Sequence, residues 1–371
     1  MFKQGAGPLE RMMVVAAVLT YLLAILLLLG GMLAATPGAV PNAAVVSAQA
    51  SEPSPGAQPA ADWQRILPGG RMVALVANPT DPTRLYAAGF ETGRGTQPNI
   101  YASQDGGSTW VRVGRPDRVS FVSLAVGRDG TVYLAASHGG IHKSLDGGIT
   151  WRAVYEAGGI GGIAADPADP ANVYAIRGGG RVAYLLASHD HGETWTSSAV
   201  PIPCDAGEIA VDWDAGVLYL GGGCGLLRTT DFGESWSELA IPSTVAQLAT
   251  NPARPGQVFA VVTSEGLWIS DDAGESWTVA SEPRFIHRLA LDPRDPSGAT
   301  FAFAAGNHGV EAPVPENIFW TTDRGASWRP LGAPPTRSGD SAVPKAMRIA
   351  GDSLFVLTNS GLWATSLPPA P

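Results

Sequence analysis

The sequence holds little of what most enzymes and nucleic-acid-binding proteins display. Only two of its 371 residues are cysteine, too few for a fold held together by disulfides. Charged residues make up 15% and the net charge is −9, so no general basic surface exists and we expect no nucleic-acid partner. It has no phosphate-binding loop, dinucleotide fingerprint or G-x-S-x-G elbow, and its six histidines form no ligand-spaced cluster. We therefore expect no cofactor and no metal site.

Charge is also missing from a long stretch near the amino terminus. Residues 12–51 contain no charged side chain, and residues 12–35 are apolar apart from Thr20 and Tyr21. A helix of these 24 residues would be about 36 Å long, enough to cross a hydrocarbon core of about 30 Å. We predict a transmembrane signal anchor over residues 12–35.

The flanks of this segment set its expected orientation. Lys3 and Arg11 precede it, which favours a cytoplasmic N-terminus over residues 1–11 and places the rest of the chain on the extracytoplasmic side of the membrane. A cleavable signal peptide ending near Ala48–Ala50 is the alternative. Residues 36–61 are rich in alanine, proline and serine and predict a disordered linker.

An octapeptide of the form [ST]-x-D-x-G-x-[ST]-W occurs six times, with its tryptophans 41, 44, 41, 41 and 51 residues apart. The motif aspartates are Asp105, Asp146, Asp190, Asp231, Asp272 and Asp323, and the tryptophans are Trp110, Trp151, Trp195, Trp236, Trp277 and Trp328. A fixed motif with this period predicts a propeller or a solenoid. Its Asp and Ser/Thr side chains suit a hydrogen-bonded turn, and an Asp bonded to its own turn is a poor general acid. We predict structural rather than catalytic roles for these residues.

The motif resembles the Asp-box, or BNR repeat, of sialidase-like β-propellers. The resemblance implies blades of four strands, A to D, with the motif at the turn between strands C and D. It is a specific signal for the fold and a weak one for function.

Six motifs predict six complete blades, and a seventh follows from the two ends of the chain. Residues 346–350, 354–357 and 361–365 have the pattern of strands A, B and C. Residues 63–67 match the segments that follow each motif, such as 236–240, and would supply the missing strand D. We predict an all-β, seven-bladed β-propeller over residues 62–368, closed by residues 63–67 pairing with the last blade. A six-bladed ring with two loose ends is the rival.

Such a ring has two faces. The D-to-A and B-to-C connections share one, named here the loop face, and the A-to-B and C-to-D turns share the other, the turn face. Function is expected on the loop face, where the long connections 91–98, 307–316 and 332–344 belong to neighbouring blades.

Strand A is expected to line the central channel. Aligning the seven A strands puts one residue from each at an equivalent position, named here the ring position: Ala74, Ser123, Gly162, Glu208, Gln247, Arg288 and Arg348. The candidate binding residues, all mapped to the loop face, are Arg71, Arg94, Arg177, Arg181, Arg288 and Arg348. Arginine clusters suit carboxylate or phosphate recognition. Pairing of each arginine with a nearby acidic residue is the alternative.

The two cysteines, Cys204 and Cys224, both map to the loop face of blade 4. On the exported side a disulfide between them would close a loop of about 20 residues, contributing roughly 3 kcal/mol in the chain-entropy model. Two buried free thiols are the alternative.

Two enzyme families resemble parts of this pattern. Sialidase-like enzymes carry a Phe/Tyr-Arg-Ile-Pro motif, which is absent here. Xyloglucanase-type hydrolases have similar repeats but use carboxylates between two propellers, and this chain has one. The loop-face carboxylates are Asp117, Asp205, Glu208, Glu311, Glu316 and Asp340, and no spacing singles out a pair.

Among single seven-bladed propellers on the exported side, the chain is similar to the photosystem II stability and assembly factor family. The resemblance implies a non-enzymatic protein that holds membrane-protein subunits through an arginine-rich patch. The arginine positions of that family do not map one by one onto this sequence. We expect a membrane-anchored binding or assembly propeller with a membrane or extracytoplasmic protein partner on its loop face. The alternative is a cell-surface carbohydrate-active protein, either hydrolytic or glycan-binding.

Overall fold

Seven β-sheets account for the regular structure in the part of the chain that the computed structural model describes. That part comprises residues 43–46, 62–67, 72–90, 98–178, 182–200, 206–223, 225–239, 241, 243–263, 265–280, 285–307, 314–335 and 343–368. All of it belongs to one unit, Ala43–Pro371. Two strands precede the first blade, β1 (Ala43–Val46) and β2 (Gln64–Leu67).

The next four sheets follow one another along the chain, each made of four consecutive strands. Blade 1 is β3 (Met72–Ala77), β4 (Leu85–Phe90), β5 (Pro98–Ser103) and β6 (Val111–Arg112). Blade 2 is β7 (Ser120–Val126), β8 (Val132–His138), β9 (Gly140–Ser144) and β10 (Arg152–Tyr155). Blade 3 is β11 (Ile160–Ala165), β12 (Val173–Arg177), β13 (Tyr184–Ser188) and β14 (Thr196–Ala199). Blade 4 is β15 (Ala206–Asp212), β16 (Val217–Gly222), β17 (Gly225–Thr229) and β18 (Ser237–Leu239).

The last three sheets complete the ring. Blade 5 is β19 (Val245–Thr250), β20 (Val258–Val262), β21 (Gly266–Ser270) and β22 (Trp277–Ala280). Blade 6 is β23 (Ile286–Leu291), β24 (Phe301–Asn307), β25 (Val314–Thr321) and β26 (Arg329–Gly332). Blade 7 takes β27 (Ala346–Ala350), β28 (Ser353–Thr358) and β29 (Gly361–Ser366) from the end of the chain and β2 from its beginning.

Neighbouring strands within each blade are antiparallel, and the two chain ends meet in blade 7. Strand β2 pairs antiparallel with β29, with Arg65 opposite Trp363 and Leu67 opposite Leu362. The seven A strands contact one another in cyclic order, and β27 of blade 7 contacts β3 of blade 1. The chain is therefore an all-β, seven-bladed propeller with its A strands innermost, as the repeat predicts.

The hydrophobic core lies between blades rather than at one centre. One cluster joins blades 1 and 2 through Ile100 and Leu134, and another joins blades 3 and 4 through Ile176 and Leu220. A further cluster packs Leu67 of blade 7 against Met72 of blade 1, so the closure is also a packed interface. Burying such side chains between sheets is the main favourable term in the fold.

The predicted linker differs from expectation at four residues. Strand β1 lies parallel to β22, on the outer edge of blade 5, with Ala43 opposite Trp277 and Val46 opposite Ala280. The outer strand of a blade offers unpaired backbone groups, and valine favours an extended chain. These four residues therefore form a strand where the sequence predicts a disordered segment.

Several predictions lie outside the described residues. They include the anchor over residues 12–35, the cytoplasmic segment 1–11, most of the linker 36–61 and the Cys204–Cys224 pairing. No helix among the residues that the structure describes is long and apolar enough to span a membrane. The anchor, the domain boundaries and the disulfide stay predictions.

Candidate functional site

The six motif turns on the turn face share one hydrogen-bond pattern. In blade 1, Gly107 N donates to Ser103 Oγ at 2.8 Å and Thr109 N donates to Asp105 Oδ1 at 2.8 Å. Trp110 Nε1 donates to the Gly107 carbonyl at 3.0 Å, which fixes the ring over its own turn. Three bonds recur in each of the other five motifs. The first Ser/Thr hydroxyl donates to the Asp carboxylate, the Gly N–H donates to that hydroxyl, and the N–H of the second Ser/Thr donates to the Asp carboxylate.

These bonds also set the chemistry of the motif aspartates. Hydrogen bonds from the following Ser/Thr hydroxyl and backbone N–H lower the pKa of Asp105, Asp146 and Asp190 to about 2. Such carboxylates remain ionised at neutral pH and have no proton to give. They act as acceptors that hold the turn.

Arginines near the turn face are neutralised by carboxylates. The pairs are Arg84–Asp81, Arg152–Glu193, Arg228–Glu275, Arg254–Asp271, Arg294–Asp292 and Arg324–Asp271, with N–O distances of 2.6–3.7 Å. This face therefore offers few unpaired positive charges to a ligand.

In six blades, the residue at the ring position directly follows a β-bulge in strand A. The A–B ladder skips one residue immediately before Ala74, Ser123, Gly162, Glu208, Gln247 and Arg288. Such a bulge inserts an unpaired residue and bends the strand. Blade 7 has no bulge there, because Ala346–Ala350 pair in unbroken register with Ser353–Leu357. The backbone register around Arg348 therefore differs from that around the ring-position residues of the other six blades.

Gln247 shows how a ring-position side chain joins two blades. Its Nε2 donates to the Leu289 carbonyl at 2.9 Å, and its Oε1 accepts from Leu289 N at 2.9 Å. The side-chain amide thus pairs with the backbone of the next A strand.

Glu208 is the equivalent residue one blade earlier, and it is half-buried. Burial raises its pKa to about 7, although the Arg288 charge and a hydrogen bond from the Leu248 backbone act to lower it. A carboxyl with this pKa exchanges its proton near neutral pH.

Arg288 donates hydrogen bonds to backbone carbonyls at the channel mouth. Its Nε donates to the Lys345 carbonyl at 2.8 Å and its Nη1 donates to the His287 carbonyl at 2.7 Å and the Ala246 carbonyl at 3.4 Å. Ala246 and His287 are the bulge residues of blades 5 and 6. Burial lowers the pKa of Arg288, while the nearby Glu208 raises it.

Arg348 differs from Arg288 in its contacts. Among the residues that the structure describes, its guanidinium makes no hydrogen bond or ion pair, and its side chain is accessible to solvent. Surrounding protein removes part of its hydration and lowers its pKa, and no carboxylate in the described part of the chain acts in the opposite direction. Within the described part of the chain, this charge therefore has no counter-charge.

A pocket of about 230 Å³ lies at the same mouth, between blades 5, 6 and 7. Among the described residues, its lining includes His287, Arg288 and Lys345 and no carboxylate. Phe285 also lines it and has a φ of 63°, a conformation that costs energy for a bulky residue. Strained backbone of this kind concentrates at binding sites.

Some of the remaining candidate residues lie in the described part of the chain, and the others lie outside it. Arg177 lies with its guanidinium 5.3 Å from the centre of the Tyr184 ring, a cation–π contact. Arg71, Arg94, Arg181, Asp205, Glu311, Asp340 and most of the three long loops lie outside the described residues. Asp117 is exposed, and the side chain of Glu316 lies outside the described part although its backbone is in β25.

The sequence reasoning missed two residues of the pocket, His287 and Phe285. Both flank the start of β23, in the run Phe285–Arg288. The signal in the sequence was an aromatic side chain and two basic ones at the start of an inner strand.

The fold and the site define the chain as a seven-bladed propeller with a basic channel mouth. No protein-family model matches the chain, and no curated protein matches it. Solved structures do match. The GH74 enzyme of Niastella koreensis aligns with a TM-score of 0.61 and 16% identity, over 81% of this chain and 53% of the enzyme.

Two YCF48 structures are also similar. YCF48 bound to D1 peptide aligns with a TM-score of 0.59 and 14% identity, over 84% of this chain and 98% of YCF48. YCF48 from Cyanidioschyzon merolae gives a TM-score of 0.57 and 15% identity, over 83% and 99%. This chain thus spans about half the length of the GH74 enzyme and nearly all of YCF48. At these identities the likeness shows a shared propeller fold, as the Asp-box resemblance predicts, and no more.

Proposed function

We propose that this chain is a non-enzymatic binding propeller that docks a protein partner on its loop face. The observation that carries the proposal is the contrast between the two faces. Six arginines near the turn face are paired with carboxylates, whereas Arg177, Arg288 and Arg348 contact a ring, backbone carbonyls or nothing among the described residues. Positive charge left available on one face suits an acidic partner surface and steers its approach.

Two further features support this assignment. YCF48, which has been solved with a D1 peptide, has the same fold over nearly its whole length. The charge-free segment 12–35 would tether the propeller to a membrane and place it on the extracytoplasmic side, near membrane-protein clients.

The test is a crosslinked pull-down of the full-length protein from detergent-solubilised membranes, read by mass spectrometry. We compare wild type with the loop-face variant Arg177→Glu/Arg348→Glu and the turn-face variant Arg84→Glu/Arg254→Glu. A near-stoichiometric membrane-protein partner should crosslink through the loop face, fall at least tenfold in the loop-face variant and persist in the turn-face variant. A partner retained equally by all three proteins would refute loop-face docking.

A carbohydrate-active protein is the second candidate, and Glu208 favours it. A carboxyl with a pKa of about 7 suits a general acid. Glycosidases, however, need a second carboxylate roughly 5–10 Å away, and the charged neighbour identified beside Glu208 is Arg288. Hydrolysis of a glycan panel that disappears in Glu208→Gln would favour this candidate over the first.

A further inference from the structure

We propose that the turn face between blades 3 and 4 carries a docking site for an arginine-containing segment of a partner protein. The site consists of four rings, those of Tyr174, His189, Trp213 and Phe232, and the carboxylates beside them. These four residues are named here the aromatic cluster. The site goes beyond docking on the loop face, because it lies on the opposite face of the ring and attracts the opposite charge.

Tyr174 is the centre of the aromatic cluster and is 2% exposed. The Phe232 ring stacks on it, with the centroids 5.5 Å apart and the planes inclined by 7°. Trp213 lies 5.5 Å from Tyr174 at an angle of 35°, and His189 meets Tyr174 edge-on at 5.9 Å. These contacts join the motif turns of both blades to the A-to-B turn of blade 4, so packing holds the rings in place.

Phe232 is the apolar member of the cluster that solvent reaches, with 42% of its surface exposed. It occupies the fourth position of the motif, where φ is positive in all six copies and the other copies have glycine, histidine, alanine or arginine. At its φ of 53°, a phenylalanine costs energy that a glycine would not. A strained aromatic residue that is not buried indicates a binding role better than a packing role.

Asp214 brings a carboxylate to the same place. It follows Trp213 in the A-to-B turn of blade 4 and is exposed. The tip of the Phe232 ring lies beside this turn, since a Cβ on Gly216 would be 3.9 Å from Phe232 Cζ. An exposed aromatic ring and an exposed carboxylate therefore border one another.

The motif aspartates add to the negative charge. Asp190 follows His189, and Asp231 precedes Phe232. Both carboxylates accept hydrogen bonds from hydroxyl and backbone N–H groups of their own turns, which hold them ionised without cancelling their charge. Together with Asp214 they give the surface around the aromatic cluster a negative potential.

Basic side chains of the neighbouring strands do not neutralise this surface. Lys143 and Arg152 pair with Glu193, and Arg228 pairs with Glu275. Every A-to-B turn and every motif turn of the ring belongs to the described part of the chain, and within that part no basic side chain pairs with the three aspartates. The negative charge is therefore available to a cationic partner.

A guanidinium matches both halves of this site. Its planar group stacks on an aromatic face while its edge donates to a carboxylate, whereas an ammonium is a compact and more strongly hydrated charge. The protein already makes the first contact elsewhere, because the Arg177 guanidinium lies 5.3 Å from the centre of the Tyr184 ring. We therefore expect the site to prefer arginine to lysine.

The experiment is fluorescence anisotropy of labelled tetra-arginine, tetralysine and tetraglutamate peptides, titrated with the purified full-length protein in detergent. The site variants are Phe232→Ala and Asp214→Asn. Ala273 occupies the same motif position in blade 5 with a φ of 57°, so the first variant is compatible with the turn. The matched controls are Ile149→Ala, an apolar residue of the blade 2 motif that is 64% exposed, and Glu265→Gln, an exposed carboxylate on the loop face.

We expect tetra-arginine to bind the wild type at least about fivefold more tightly than tetralysine, and tetraglutamate not to bind. The association constant for tetra-arginine should fall at least about fivefold in each site variant and stay within about twofold in each control. Equal affinity for tetra-arginine and tetralysine, an equal loss in the controls, or no tetra-arginine binding at all would overturn the inference.

A thermal melt of each variant guards the comparison. Asp214→Asn removes no contact with a described residue, so it should melt with the wild type and tests the site even where Phe232→Ala does not fold. Unchanged tetra-arginine binding in a folded Asp214→Asn protein would also contradict the site. The loop-face variant Arg177→Glu/Arg348→Glu leaves the aromatic cluster intact and should bind the peptide no more weakly than wild type, so the two proposals fail separately.

Discussion

At the scale of single residues, Glu208 and Gln247 occupy the same ring position in adjacent blades with different consequences. The Gln247 amide both donates to and accepts from the next A strand. An ionised Glu208 can only accept, whereas its protonated form has the same donor and acceptor pattern as glutamine. Burial is what raises the pKa of Glu208, while the Arg288 charge and the hydrogen bond from the Leu248 backbone act to lower it.

The first prediction concerns Glu208→Gln and the pH dependence of stability. The pKa of Glu208 is raised from 4.5 to about 7, so its stabilising contribution is full below pH 4.5 and is lost as the pH rises through 7. Wild type and Glu208→Gln should therefore be equally stable near pH 4.5. Above pH 7 the variant should be more stable, by up to roughly 3 kcal/mol at about 1.4 kcal/mol per pKa unit.

Thermal unfolding across pH 4.5–8 checks this prediction. Glu238→Gln, which changes an exposed carboxylate on the outer strand of the same blade, is the control and should show no widening difference. A constant offset between Glu208→Gln and wild type across the pH range would contradict the titration of Glu208.

At the scale of elements, the motif turns of neighbouring blades are clamped together by strand C. Lys143 of blade 2 donates to the His191 carbonyl at 2.7 Å and to Glu193 at 2.8 Å, both in the motif of blade 3. Arg228 of blade 4 repeats the arrangement with the Ala273 carbonyl and Glu275 of blade 5. The first clamp is the more buried, because the Lys143 side chain is 4% exposed and that of Arg228 is 15% exposed.

The second prediction is that Glu193→Ala destabilises the propeller more than Glu275→Ala. Removing Glu193 leaves a buried ammonium without its carboxylate, which should cost about 2–3 kcal/mol. Glu275 is 66% exposed, so its loss should cost at most about 1 kcal/mol. Thermal unfolding of both variants measures the difference.

A double variant separates the buried charge from the lost contact. Lys143→Met in the Glu193→Ala background should recover most of the stability, because Tyr133 still donates to the His191 carbonyl. If Glu193→Ala and Glu275→Ala shift the melting temperature equally, burial of Lys143 plays no part.

The sequence predicts elements better than it predicts contacts between them. Motif spacing and the match of residues 63–67 to the segments that follow each motif are local signals, and they predict the seven blades. The Lys143–Glu193 pair joins residues that are 50 positions apart in the sequence. The hydrogen bonds of Arg288 use the carbonyls of Ala246 and His287, which the bulges leave out of the strand ladder. No residue type marks those bulges, and no residue type marks their absence before Arg348. The ring position could be aligned from sequence, but its chemistry depends on backbone register.

At the scale of the whole molecule, stability depends on joining the two ends of the chain. Strand β2 is the only described strand of blade 7 that comes from before blade 1. Its Leu67 is 7% exposed and packs with residues of blades 7 and 1, while its backbone covers the edge of β29. A closed ring leaves no such edge free, and an open edge pairs readily with another chain.

The third prediction is that deleting residues 62–67 from the full-length protein opens the ring. Loss of one buried leucine and several backbone hydrogen bonds should cost about 3–5 kcal/mol, and at about 2–4 °C per kcal/mol the melting temperature should fall by roughly 10 °C. The exposed edge of β29 should also promote self-association, measured by size-exclusion chromatography with light scattering. Deleting residues 52–57, of equal length in the predicted linker, should change neither quantity. A 62–67 deletion that stays monodisperse and melts within 2 °C of wild type would show that the ring is held by blade packing alone.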